Sequence, residues 1–121
     1  MEADRALFES AVDQLHRRWP DAPEGVAAAV YLEDGFVLTG VALDNFNPVM
    51  SLCAETGPIC EAYSMGRRIV ASICVLQEPS KEGYTVLAPC GACQERLACG
   101  VQGSKSASAT VRARRVGRVD R

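Results

Sequence analysis

The sequence predicts an α/β layered domain in which a sheet lies between helices. Three observations lead to this prediction: a helical apolar pattern near the start, a hairpin signal followed by a continuous apolar run, and helical segments that alternate with the strands. The predicted order is helix, two strands, helix, strand, strand, helix. The chain has 121 residues, which suffice for one packed core but not for two.

The first helix is predicted over residues 4–18. Apolar residues recur there at helical spacing, and Pro20 stops the pattern; the repeating residues are Leu7, Ala11 and Leu15. His16 is the only histidine of the chain and lies on this helix. A single histidine in such a place is expected to be solvated or packed rather than to bind a metal.

Each later element has its own signal. A Glu-Asp-Gly segment joins two runs of strand composition, which indicates a hairpin, and the run IVASICVL is typical of a buried strand. The predicted strands are residues 26–32, 36–43, 69–76 and 84–88. The second helix is predicted to begin at Cys53 and to end at Gly66 or shortly after, and the third helix to begin at Cys90.

Charge divides the chain into a predicted folded domain, residues 1–103, and a basic, flexible tail, residues 104–121. The domain carries seven basic and 14 acidic residues, whereas the tail carries six basic residues and one acidic residue. An acidic body argues against general nucleic-acid binding, which needs a basic face. The tail has few large apolar side chains, and we expect at most a short strand there, at residues 109–111.

The cysteine pattern suggests a metal site. The N-terminal stretch is acidic and amphipathic, unlike a secretory signal, and no apolar run is long enough to span a membrane, so we expect a cytoplasmic protein. In a reducing compartment, patterned cysteines more often bind metal or perform chemistry than form disulfides. Three of the six cysteines are expected to be buried and structural: Cys60, Cys74 and Cys99.

Cys90 and Cys93 are spaced C-x-x-C, which by itself fits a redox pair as well as half of a metal site. Cys53 stands at a predicted helix start, where the helix dipole stabilises a thiolate, and offers a third ligand. Three protein ligands leave the fourth position open, as a catalytic zinc requires. Glu55 follows two residues later on the predicted first turn, and its carboxylate could transfer protons there. The set favours zinc over a redox pair.

Cys53-Ala54-Glu55 followed by Pro89-Cys90-Gly91-Ala92-Cys93 resembles the zinc-dependent cytidine deaminase family, over roughly residues 5–100. The resemblance implies that Cys53, Cys90 and Cys93 bind one Zn²⁺ and that Glu55 shuttles protons. It implies the family's fold, a three-layer α-β-α sandwich with a mixed central sheet. It also implies hydrolysis of a cytosine nucleoside to the uracil nucleoside and ammonia. A cysteine as first ligand points to the free-nucleoside branch, whose small members are homotetramers; a dimer is the alternative. Backbone groups around Ala54 and Pro89 are expected to contact the base.

The chain departs from the family at substrate-binding positions. The family's Gly-x-Asn-x-Glu-Asn reads here as residues 40–45, so that Asp44 and Asn45 are the candidate substrate contacts, while Ala42 cannot bind a sugar hydroxyl. Glu24 stands where a base-covering phenylalanine is usual. Thr56 replaces an arginine that offsets thiolate charge, and the possible substitutes are Arg67, Arg68 and Arg96.

These departures resemble the diverged branch that includes blasticidin S deaminases, whose substrates keep the cytosine but change the sugar. We therefore expect a deaminase of a cytosine nucleoside with an open choice of sugar. Two alternatives remain. One is a zinc-stabilised binding protein that has lost catalysis. The other is a nucleic-acid-editing enzyme that uses the basic tail.

Overall fold

The computed structural model describes residues 2–21, 24–47, 50–79, 83–87 and 117–119. Within these residues the chain forms two helices and five strands. In chain order they are α1 (Glu2–Arg18), β1 (Gly25–Leu32), β2 (Val37–Val41), α2 (Thr56–Met65), β3 (Ile69–Gln77), β4 (Tyr84–Leu87) and β5 (Gly117–Val119). The predicted order of elements is confirmed as far as β4, and the predicted third helix, from Cys90, lies outside the described residues.

The five strands form one sheet in the order β2-β1-β3-β4-β5. Helix α1 packs on one face of this sheet, and α2 packs on the other face over β1 and β2. The α/β class with helices on both faces is therefore confirmed. Every strand pair among the described residues is antiparallel, so the parallel pairing that a mixed sheet needs does not occur between these strands.

Helix α1 buries the stripe that its sequence predicts. It begins two residues before the predicted start and ends at Arg18, ahead of Pro20. The side chains that it buries against the sheet are Leu7, Phe8, Ala11, Val12 and Leu15. His16 packs against this same layer, where its Nε2 lies 2.6 Å from the Tyr84 hydroxyl. Of the two expected environments of His16, solvated or packed, the structure shows the packed one.

The hairpin forms where Glu-Asp-Gly predicts it. Gly35 adopts a positive φ of 92°, which glycine allows without strain, and its N–H donates to the Leu32 carbonyl. Strand β2 ends at Val41, two residues before the predicted end. The Ala42 N–H still donates to the Val26 carbonyl of β1, and the next residue, Leu43, pairs with Leu52 instead.

Helix α2 begins at Thr56, three residues after the predicted start at Cys53. The intervening residues form a turn, in which the Thr56 N–H donates to the Cys53 carbonyl over 3.0 Å. The helix ends at Gly66, which takes the left-handed conformation (φ 68°) and donates to the last carbonyls of the helix. The predicted end of this helix is confirmed, and the predicted start is wrong.

Strand β5 lies within the segment predicted to be a flexible tail. Gly117–Val119 pairs antiparallel with β4 at the edge of the sheet, so the prediction is wrong for these residues. The boundary at residue 103 remains a prediction, and the expected strand at residues 109–111 lies outside the described residues. In the part of the chain that the structure describes, neither helix is long and apolar enough to cross a membrane.

Candidate active site

The turn before α2 brings a thiol and a buried carboxylate together. Cys53 is half-buried, and Ala54 and Glu55 are only 1% and 3% exposed. Glu55 occupies the N-cap position of α2 rather than its first turn, and its side chain makes no capping hydrogen bond. A carboxylate that is buried beside a helix N-terminus without capping it is a candidate for catalysis, because burying such a group otherwise destabilises the fold.

Gly40 on β2 lets this turn approach the sheet closely. A Cβ at residue 40 would lie 2.5 Å from Pro58 Cδ and 2.7 Å from the Ala54 carbonyl oxygen, closer than side-chain carbons ever come to other atoms. Because residue 40 has no side chain, both the first turn of α2 and the peptide between Cys53 and Glu55 can lie close to β2. The Ala54 carbonyl faces β2, and contact between the base and backbone groups near Ala54 remains a prediction.

A cluster of small buried side chains on the sheet packs against the same turn. Ala54 packs with Ala28 of β1 and Cys74 of β3, and Leu87 at the end of β4 packs against this cluster. Cys90 follows Leu87 by three residues, a length of chain that spans at most about 10 Å. The end of β4 thus enters the layer that holds the Cys53–Glu55 turn.

Of the three predicted zinc ligands, only Cys53 lies among the described residues; Cys90 and Cys93 lie outside them, as does Pro89. No three potential metal ligands gather within the described ranges, and the proposed donor set cannot be completed from these ranges alone. Cys74 is buried in the cluster under Ala54, as predicted. Cys60 is exposed on α2, so the expectation of burial is wrong for this cysteine. Cys99 lies beyond β4, outside the described ranges.

A ten-residue loop, residues 43–52, leads from β2 to the turn. The backbones of Leu43 and Leu52 exchange two hydrogen bonds, of 3.0 and 2.8 Å, which close the base of the loop. Inside it, the Asn45 side-chain amide donates to the Met50 carbonyl over 3.1 Å, and the Asn45 N–H donates to Ser51 Oγ. The predicted substrate contact Asn45 therefore uses its backbone N–H and its side-chain amide to hold the loop itself.

The loop lines an open cleft of about 580 Å³ whose lining includes Asp44, Asn45 and Phe46. Asp44 is exposed, as a substrate contact must be, and Ala42 packs against the small-residue cluster with no polar group to offer. The sequence pattern did not single out Phe46, whose side chain is fully exposed in this lining. An aromatic residue inside the polar stretch Asp-Asn-Phe-Asn-Pro is the signal that could have identified it.

Two proposed substitutes for the missing arginine lie at the wrong end of α2. Arg67 forms an ion pair with Asp34, and Arg68 pairs with Glu33 over 3.4 Å. Both contacts are at the β1–β2 turn, beyond a ten-residue helix that is about 15 Å long. Arg67 and Arg68 therefore do not offset charge at Cys53. Arg96 lies outside the described residues.

Glu24 is exposed ahead of β1. No aromatic side chain stands at this position to cover a base. Thr56 begins α2 next to Glu55 and is partly exposed.

Known proteins similar to this chain are cytidine deaminases and a related enzyme. A cytidine deaminase of Sporosarcina psychrophila is 30% identical over 98 residues, which cover 81% of this chain and 69% of that protein. One of Halalkalibacterium halodurans is 36% identical over 73 residues, 60% of this chain and 52% of that protein. A blasticidin-S deaminase of Bacillus cereus is 25% identical over 100 residues, 79% of this chain and 71% of that protein. No family model matches the chain.

The solved structures that are similar to this chain are also cytidine deaminases. The cytidine deaminase from Bacillus anthracis superposes with a TM-score of 0.71 at 39% identity, covering 78% of this chain and 67% of that one. The enzyme from Mycobacterium leprae gives 0.61 at 30% identity, covering 77% and 76%. The chain is thus similar to cytidine deaminases both in sequence and in fold. It also carries a buried glutamate close to a cysteine at a helix N-terminus, on a sheet with helices on both faces. The chain belongs to the cytidine deaminase family. The match spans only about half the length of some curated relatives, such as the H. halodurans enzyme.

Proposed function

We propose that the protein hydrolyses the amino group of a cytosine nucleoside in a zinc-dependent reaction that releases ammonia. The observation that carries the proposal is the buried Glu55 carboxylate two residues after Cys53, held against β2 by Gly40. A carboxylate so placed has no role in capping α2. Its position fits a group that moves protons at a protected reaction centre.

The residues present fit zinc. Cys53 supplies one thiolate at the positive end of α2, where the exposed N–H groups favour negative charge. Cys90 and Cys93 are the proposed other ligands, and the packing of Leu87 against the cluster under Ala54 supports this, because Cys90 is only three residues further on. Zinc, when bound there, supplies the Lewis acidity that lowers the pKa of water toward neutrality.

The chain's own residues then perform the proton transfers. The Glu55 carboxylate accepts a proton from the attacking water and delivers it to the leaving amino nitrogen at C4 of the cytosine. Burial of Glu55 and Ala54 excludes bulk water from this part of the turn. The close approach of Gly40 to Pro58 and to the Ala54 carbonyl holds the turn that carries both the thiol and the carboxylate.

The sugar of the substrate is the open part of the proposal. Ala42 offers no hydrogen bond at a position where the family holds the ribose, and the similarity to the B. cereus blasticidin-S deaminase covers 79% of this chain. Both observations support a substrate with a modified sugar. We therefore include blasticidin S beside cytidine and deoxycytidine as a candidate substrate.

We further propose that the protein acts in the cytoplasm as an assembly of identical chains, a tetramer or a dimer. Exposed apolar side chains on α2, those of Tyr63 and Met65, support a covered surface in an assembly. The acidic body favours a small substrate over nucleic acid.

The test is ammonia release from cytidine, deoxycytidine and blasticidin S by purified protein, together with its zinc content. We expect one zinc per chain and turnover of at least one substrate. Glu55→Gln is expected to keep zinc and to lower kcat by about 10²–10⁴-fold, as the loss of a general acid-base group does. Glu61→Gln, on the exposed side of α2, is the matched control.

Full activity of the Glu55→Gln variant would reject the role of this carboxylate. Zinc binding without ammonia release from any of the three nucleosides would support the alternative of a binding protein that has lost catalysis. A protein without zinc whose cysteines react rapidly with alkylating reagents would support the redox alternative for Cys90 and Cys93.

A further inference from the structure

A buried hydroxyl group on β3 has no hydrogen-bond partner among the described residues. Ser72 is 8% exposed, and its Oγ atom is fully buried without a hydrogen bond to any described group. The surrounding run, IVASICVL, is otherwise made of aliphatic residues and one cysteine. Alanine would suit such a strand equally well, and a buried hydroxyl without a partner destabilises a fold. A serine at this position therefore indicates a polar partner.

Ser72 lies on the face of the sheet that carries the Cys53–Glu55 turn. Side chains alternate along a strand, so Ser72 shares its face with Cys74, which packs with Ala54 of that turn. The residue paired with Ser72 on β1 is Val30, which lies in the cluster under α2. The hydroxyl is thus in the same layer as the turn, about 7 Å along the strand from Cys74.

Ser72 also lies on the side of α2 on which β4 runs. Helix α2 packs over β1 and β2, and β3 is the next strand toward β4. The antiparallel register pairs Cys74 with Leu87. Continued for two residues, this register predicts position 89 across from Ser72, and the next residue is the proposed zinc ligand Cys90. Both of these positions lie outside the described residues, so their place is an expectation.

A zinc site made of three thiolates needs hydrogen-bond donors. Zn²⁺ and three thiolates carry a net charge of −1, and the buried carboxylate of Glu55 adds to it. Groups that donate to the ligand atoms orient them and stabilise their charge. Residue 56 is threonine rather than arginine, and the side chains of Arg67 and Arg68 pair at the β1–β2 turn instead. A neutral donor already buried in this layer fits that need.

We propose that the Ser72 hydroxyl donates a hydrogen bond to a zinc-bound thiolate, that of Cys90, and so positions this ligand and offsets its charge. The proposal rests on the zinc site of the proposed function. Ser72 is a positioning residue, because it acts through the thiolate and touches neither the metal nor the substrate. The O–H of a serine rotates freely, so it can turn toward a sulfur atom without a change in the strand.

The experiment compares metal binding by the full chain with that of its Ser72→Ala variant. Competition with a chelator gives the affinity for Zn²⁺, and Co²⁺ in place of zinc reports on the thiolates through the sulfur-to-cobalt charge-transfer band. We expect Ser72→Ala to lower Zn²⁺ affinity by about tenfold, as the loss of a group that bonds to a metal ligand does. The band is expected to move to longer wavelength, because a thiolate without this hydrogen bond gives up electron density more readily.

Ser64→Ala is the matched control, since it removes a hydroxyl from an exposed position of α2 where the group bonds to the Cys60 carbonyl. This variant is expected to keep both the affinity and the spectrum of the parent. Urea unfolding of the metal-free proteins separates metal binding from packing. Without metal, Ser72→Ala is expected to be at least as stable as the parent, because it removes an unpaired buried hydroxyl.

The proposal is overturned if Ser72→Ala leaves both the Zn²⁺ affinity and the cobalt spectrum unchanged, since the hydroxyl then bonds to water only. It is also overturned if the affinity falls only as far as the stability of the metal-free protein falls, since Ser72 then serves packing.

Failure of the proposed function gives a different result. A parent that binds zinc but releases no ammonia contradicts deamination, and the affinity and the spectrum still test Ser72. A parent that binds neither Zn²⁺ nor Co²⁺ contradicts both proposals.

Discussion

Replacing Gly40 by alanine is expected to destabilise the fold and to displace the candidate active site. The added Cβ would lie 2.5 Å from Pro58 Cδ and 2.7 Å from the Ala54 carbonyl oxygen, and both neighbours would need to move by roughly 0.7–0.9 Å to reach ordinary contact at 3.4 Å. One neighbour is a ring at the start of α2 and the other is backbone. Neither can swing aside as the end of a flexible side chain could.

The expected loss of stability is about 1–3 kcal/mol, the usual result of adding a methyl group to a closely packed site. A gain of about 0.5–1 kcal/mol from replacing glycine in a strand opposes it only in part. The Ala54 carbonyl belongs to the residue between Cys53 and Glu55, so its displacement by about 0.7 Å is also expected to lower kcat, by at most about 100-fold.

Gly57→Ala is the matched control. Gly57 lies in the first turn of the same helix, and a Cβ there would meet nothing within 4 Å. Alanine favours a helix over glycine by about 1 kcal/mol, so this variant is expected to be as stable as the parent or more stable, with unchanged kcat and zinc content.

Urea unfolding gives the free energy of unfolding of both variants, and kcat and zinc content are measured where both are fully folded. If Gly40→Ala unfolds at the urea concentration of the parent and keeps its kcat, the close approach of β2 and α2 does not position the turn. If it loses stability but keeps kcat and KM, Gly40 serves packing only.

Two further predictions follow from described contacts. Cys53→Ala is expected to lower the zinc content from about one per chain to near zero, whereas Cys60→Ala, at an exposed position of α2, keeps it; equal zinc in both would show that Cys53 is not a ligand. Tyr84→Phe removes the 2.6 Å contact with His16 and is expected to lower the free energy of unfolding by about 0.5–1.5 kcal/mol. An unchanged urea midpoint would show that this hydrogen bond adds nothing to stability.

Local patterns were enough to locate most elements. The apolar spacing of α1, the Glu-Asp-Gly turn, the run of β3 and the glycine that ends α2 depend on residues close together in the chain, and all were correctly anticipated. The start of α2 was misplaced by three residues because Cys53–Glu55 has the composition of a helix but is held as a turn by its contacts with β2.

For the candidate site too, some features could be predicted from the sequence and others depend on the tertiary structure. The identities and spacing of Cys53 and Glu55 belong to the sequence, and the burial of Glu55 agrees with the role they suggested. The compensating role considered for Arg67 and Arg68 was wrong, because their ion pairs at the β1–β2 turn involve residues more than thirty positions away. Spacing alone could not identify those partners.

By itself, the sequence determined the α/β class, the order of elements as far as β4, and the cysteine and glutamate pattern that is shared with cytidine deaminases. Tertiary structure alone decided that Gly40 seats the turn, that Phe46 stands exposed beside Asp44, and that Gly117–Val119 closes the sheet edge. The physical reason is the distance along the chain over which each interaction acts. Periodicity and turn signals act over a few residues, whereas packing, exposure and strand pairing depend on which distant segments meet in the folded chain.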